Sequence, residues 1–194
     1  MAKFKTLICI VALVWQLPAM AKWQLDNTSS NLSFISTKKH TVMEVHQFNR
    51  LSGYISEQGK ARLEIDLASV NTAIPIRDER MKQWLFETQQ YPKADVELSI
   101  DKALINSLEV GQSSQISVKA ELSLHGEKQA VVASILVTKT AENSVSVSSW
   151  QPVLIQAGDF NLLAGLIKLQ EIAQLTSISP VVPVSFVLNF KAQD

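Results

Sequence analysis

Along most of the chain, apolar residues recur at every second position. ARLEIDL sets Leu63, Ile65 and Leu67 against Arg62, Glu64 and Asp66. ADVELSI sets Val96, Leu98 and Ile100 against Asp95, Glu97 and Ser99. ISVKAELSL gathers Ile116, Val118, Ala120, Leu122 and Leu124 on one side, and VPVSFVLNF gathers Val182, Val184, Phe186, Leu188 and Phe190. Successive side chains of an extended backbone point to opposite faces, so this alternation marks strands with one wet and one dry face. Asn31–Thr37, Leu51–Ser56, Val131–Thr138 and Val145–Ser148 bring the set to about eight antiparallel strands, and the predicted class is all-β, a sandwich or a closed barrel.

Two segments leave this period. In IPIRDERMKQWLFETQQYP, Met81, Trp84 and Leu85 fall at i, i+3 and i+4, which predicts a short helix over Arg77–Phe86. Asp78 and Lys82 can pair on its wet face, Asp78 and Glu79 suit its positive first turn, and Pro75 and Pro92 bound it. In DFNLLAGLIKLQEIAQL, residues 159–175, Leu163, Leu166, Ile167 and Leu169 keep helical spacing. The fold expected is therefore strands with one or two short helical inserts.

The N-terminus changes the picture of where the chain acts. MAKFKTLICIVALVWQLPAMA has a positive start at Lys3 and Lys5, an apolar run from Leu7 to Leu17, and Ala19 and Ala21 in an A-x-A cleavage pattern. This is a secretion signal over residues 1–21, too short for a spanning helix of about 20 apolar residues. Residues 22–194 then form a single domain outside the cytoplasm, and a bacterial periplasm is the compartment expected. Cleavage removes Cys9, the only cysteine, which excludes disulfides, zinc–thiolate sites and a cysteine nucleophile. Basic and acidic residues number 18 each and form no blocks, so there is no electrostatic footprint for nucleic acid.

Catalytic patterns are missing. No G-x-S-x-G elbow and no phosphate-binding glycine loop occurs, and no carboxylate pair is placed by a motif. His40, Glu44 and His46 share one face if that stretch is extended, a weak metal pattern set against a plain pair of surface histidines. His125 precedes Gly126 between two strands and reads as a turn residue. The amphipathic segment around Arg77 has two readings. It is either a solvated cap with Met81, Trp84 and Leu85 packed beneath, or a lid whose apolar side touches a ligand while an arginine fork meets a polar head group. The barrel interior is likewise open between a side-chain-filled core and a cavity for one ligand.

Several stretches carry a resemblance. WQLDNTSSNLSFISTKKH with Trp23, Asp26, Ser30, Phe34 and His40, VHQFNRLSGYI with Phe48 and Gly53, SVNTAIPIRDERMKQWLFETQQYPKADVE, and LSLHG follow one another in an order that resembles the YceI-like family of periplasmic lipid-binding proteins. The likeness spans the chain after the signal. The segment after Trp150 departs from it, being longer and more helical than the short acidic stretch of the family. The resemblance implies an eight-stranded, lipocalin-like antiparallel barrel around an elongated apolar cavity. It also implies a non-enzymatic role in binding a long-chain isoprenoid lipid, such as a prenyl phosphate or a quinone, with fatty-acid-like amphiphiles as an alternative. It leaves room for a homodimer and for transient membrane contact. On this reading Phe34, Leu63, Ile65, Val96, Leu98, Val118, Leu122, Phe186 and Leu188 line the barrel, while Arg77, Asp78, Met81, Trp84 and Phe86 shape its mouth, and His40 is a further ligand-binding residue; no metal or cofactor is called for. A filled barrel that docks on a membrane redox partner is the rival from another class.

Overall fold

The computed structural model describes residues 21–193. The expected signal at residues 1–21 lies outside the described residues, apart from Ala21, which opens β1 (Ala21–Leu25). Among the described residues, eight long strands appear in twelve pieces. β1 continues as β2 (Asn31–Lys38), β3 (Val42–Phe48) as β4 (Leu51–Ser56), and β5 (Lys60–Asp66) as the short β6 (Val70–Asn71). β7 (Lys93–Ser99), β8 (Ser113–Leu124) and β9 (Glu127–Ala141) are unbroken; β10 (Ser144–Ser149) continues as β11 (Val153–Gln156), and β12 (Val181–Ala192) is the last.

Pairing runs β1–β4–β5–β7–β8–β9–β10–β12 and returns from β12 to β1, which closes an antiparallel barrel. Closure removes the exposed edges that an open sheet would present. The breaks have local causes. Asp26 accepts a hydrogen bond from the Thr28 amide at 3.0 Å, and Asp66 accepts one from the Ala68 amide at 2.9 Å. Each aspartate thereby offers the backbone a turn in place of the ladder. Beyond the first break the neighbours change: β2 takes over from β1 on β12 and carries β3 and β6 with it, while β11 takes over from β10.

Helices close the ends. α1 (Pro75–Arg80) runs directly into a π-helical turn, Met81–Leu85, in which the Phe86 amide donates to the Met81 carbonyl at 2.9 Å. This wider turn alters the facing expected of a regular helix. Met81, Leu85 and Phe86 are buried, whereas Trp84 points outward at 41% exposure. The anticipated Asp78–Lys82 pair does not form, since Lys82 pairs with Glu79 at 2.8 Å and Asp78 turns back toward Thr72. α3 (Leu163–Ile172) lies against the π turn and completes the roof. At the far end α2 (Lys102–Ser107) begins at Asp101, whose side chain accepts from the Ala103 amide, and Ile105 and Leu108 are buried there.

Candidate functional site

The dry faces of the strands do not fill the barrel. They enclose a cavity of about 250 Å³ into which only apolar atoms project. Leu63 and Ile65 come from β5, Val96 and Leu98 from β7, Val118 and Leu122 from β8, Phe34 from β2, and Phe186 and Leu188 from β12. Phe86 closes on them from the π turn. Each strand residue faces inward because alternation assigns it the side opposite the neighbouring Arg, Asp, Glu, Lys or Ser. Arg62 borders the wall, but its guanidinium turns out to Asp95, 2.7 and 2.9 Å away, and that carboxylate holds it more firmly protonated.

Further wall residues were not foreseen as such. Ile135, Val147 and Ile155 are among them, and Leu162, just before α3, and Leu166 within it form the roof. For Ile135, Val147 and Leu166 the signal was present, as alternation in β9 and β10 and helical spacing in α3.

One wall changes character toward the roof. Along the inward face of the β2–β3 hairpin, facing pairs run Leu32 with Phe48, Phe34 with His46, then Ser36 with Glu44. An aromatic row leads the same way. Phe86 and Phe48 have ring centres 5.7 Å apart, Phe48 and Phe34 5.3 Å, and Phe34 and His46 5.2 Å. His46 is 3% exposed and its Nε2 lies 2.8 Å from the Ser36 hydroxyl, while its Nδ1 has no partner within the protein. Burial, and after it the nearby Arg77 charge, push the His46 pKa down, so the ring is held neutral.

Glu44 joins this rim to α1. It accepts from Lys38 and from Arg77, both at 2.7 Å, and the Lys38 hydrogen bond leads in holding its carboxyl below the usual range. Arg77 also donates to the Thr72 carbonyl at 2.7 Å, and its Nε is buried without a partner. Asp78 accepts from the Thr72 amide at 2.8 Å and from the Thr72 hydroxyl. Arg77 and Asp78 thus sit off the cavity wall, in a polar rim that pins α1 to β3. Met81 is buried beneath the π turn but also off the wall. Trp84 lies outside, with Lys168 Nζ 5.9 Å from its ring centre.

His40 is exposed in the turn between β2 and β3 at φ 65°, away from buried His46, so the two are not the surface pair that spacing allowed. Among the described residues no group of three or more metal-ligating side chains occurs. His125 does occupy a turn, at φ 51°, but it is buried: Nε2 lies 2.9 Å from Glu87, and its ring centre is 4.3 Å from that of Tyr91.

Comparison with known proteins bears on this geometry. Residues 23–190 match the model of the YceI-like domain. A solved polyisoprenoid binding domain from Saccharophagus degradans, implicated in plant cell wall breakdown, is 41% identical over 90% of this chain and 100% of its own, with a TM-score of 0.88. BcnA of Burkholderia cenocepacia is 20% identical over 85% of this chain and 98% of its own, with a TM-score of 0.63. The Campylobacter jejuni YCEI protein is 16% identical over 77% and 85%, with a TM-score of 0.56, and these last two speak for the fold alone. No curated protein sequence matches.

Proposed function

Since the chain belongs to the YceI-like domain family, we propose that it is a binding protein that encloses the tail of a long-chain isoprenoid lipid in its barrel. The observation that carries this reading is the cavity of about 250 Å³ to which no polar atom is presented. An apolar tail needs no more, because each CH₂ taken from water contributes about 0.8 kcal/mol. Phe34, Leu63, Ile65, Val96, Leu98, Val118, Leu122, Phe186 and Leu188 contact the tail, and Phe86 borders it at the roof. The polar head lies toward the rim, where Arg77 Nε and His46 Nδ1 are buried without partners. A prenyl phosphate and a quinone both offer an acceptor oxygen to an Arg77 N–H, and so does a fatty-acid-like amphiphile. The protein acts as a carrier or sequestering protein in the periplasm.

Native mass spectrometry and organic extraction of the purified protein test the reading. A co-purifying prenyl lipid, or saturable uptake of one, is the expected result. Protein that carries no lipid and takes up neither prenyl phosphate nor quinone would refute it.

A further inference from the structure

Besides Val45, Val132, Trp150, Leu154 and Val187, which are scattered on and between the strands, exposed apolar side chains gather at one end. Met43 on the β2–β3 hairpin, Ile76 in α1, Trp84 in the π turn, and Leu163 and Ile167 in α3 all stand in solvent at the roofed end of the barrel. The end capped by α2 has Val110 as its counterpart among the described residues. Strand direction fixes this assignment: β2 and β12 run antiparallel, Lys38 bridges to Ile178 ahead of β12, and the hairpin tip follows Lys38.

α3 is apolar on two sides. Leu162, just before it, and Leu166 line the cavity, whereas Leu163 and Ile167, one turn apart, form a stripe that is 47% and 59% exposed. A helix that serves only as a roof needs a single apolar stripe. On another side of the helix, where Gly165 packs, stands Trp84, over which Lys168 extends while reaching Glu171 at 3.5 Å. A tryptophan and a long cationic side chain flanking aliphatic residues are the chemistry of a membrane interface, where the ring sits at the head-group level and the ammonium snorkels to the phosphates. No helix among the described residues is long and apolar enough to cross a membrane.

We propose that the roofed end docks on a lipid bilayer, with the Leu163–Ile167 stripe and Trp84 entering the interface and Lys168 meeting lipid phosphates. A bilayer suits this end better than a protein partner, because the stripe belongs to the same helix that separates the cavity from solvent. Docking would place the bilayer against the roof through which a lipid enters. The inference rests on the cavity holding a membrane lipid, but its test does not.

The purified chain is sedimented with vesicles of phosphatidylethanolamine and phosphatidylglycerol, with Leu163→Glu, Ile167→Glu and, at the far end, Val110→Glu as variants. All three positions are exposed, and thermal unfolding followed by circular dichroism checks that each variant folds. The expected result is vesicle association that falls roughly tenfold or more in the two α3 variants and persists in V110E. No vesicle association, or association indifferent to L163E and I167E, overturns the proposal. So does a concentration-dependent dimer, seen by light scattering, that these variants dissociate, since a second copy would then be the occupant. If extraction finds no isoprenoid while vesicle association follows this pattern, the cargo reading fails and the docking surface stands.

Discussion

Gly165 of α3 lies against Trp84 of the π turn with no room for a side chain. A Cβ at position 165 would stand 2.4 Å from the Trp84 carbonyl oxygen and 2.8 Å from the Leu85 Cα, both backbone atoms that cannot swing aside. Two effects oppose each other in Gly165→Ala. Helix propensity gains about 0.5–1 kcal/mol, while overpacking against backbone costs about 1–3 kcal/mol. The clash prevails, so the variant is expected to unfold at lower urea and to expose α3 to limited proteolysis before the barrel.

The wall sets a second expectation. Ala133 is buried and faces the cavity, so Ala133→Phe places a ring in the space assigned to the lipid tail. Filling an existing void keeps the stability change within about 1 kcal/mol. Retained circular dichroism with lipid uptake reduced roughly tenfold or more is the expected outcome. Undiminished uptake would place the tail elsewhere.

Arg77 binds Glu44 with one terminal nitrogen and the Thr72 carbonyl with the other. A lysine cannot reproduce that fork, so Arg77→Lys and Arg77→Met are both expected to lose stability, by about 1–3 kcal/mol. In R77M, Glu44 keeps Lys38 alone. Lipid uptake separates the two roles of the residue: a structural rim leaves the uptake of folded R77M intact, and a head-group contact does not.

His46 supplies a pH dependence. Its folded pKa lies below the ordinary value of 6.5, so between the two values the unfolded chain binds more protons than the folded one. Stability therefore falls as pH drops below 6.5 and is retained above it. Glu44 acts lower, its contribution being lost as pH falls below the ordinary 4.5 toward its depressed folded value. His46→Phe, which keeps a ring beside Phe34, is expected to flatten the decline in melting temperature between about pH 7 and 5. An unchanged slope would assign the effect to other groups.

Much of the barrel was legible in the sequence, since alternation tracks burial wherever the inward face is apolar. It holds in β5, β7, β8 and β12. It fails in β3, where Glu44 and His46 face inward while Val42, Met43 and Val45 stand exposed, so that the pattern reads inside out. The rim inverts polarity there, and no periodicity rule reveals an inverted strand. Trp84 escaped for another reason: a π turn advances the chain by a wider step than the spacing rule assumes, which turns the ring outward. α2 escaped because six residues carry too little period to register. The β2–β3 rim required tertiary contacts, since Glu44 and Arg77 are distant in the chain.

The interruptions in the strands bear on how such a protein can change over generations. Because β1–β2 and β5–β6 break at the Asp26 and Asp66 turns while β7, β8, β9 and β12 run through, the two pieces of each broken strand set their registers separately. A residue gained or lost in β2 or β6 is absorbed at the break and does not slide β1 or β5 out of register. The roof is therefore the part of this molecule free to lengthen, and the extended segment that carries α3 lies there.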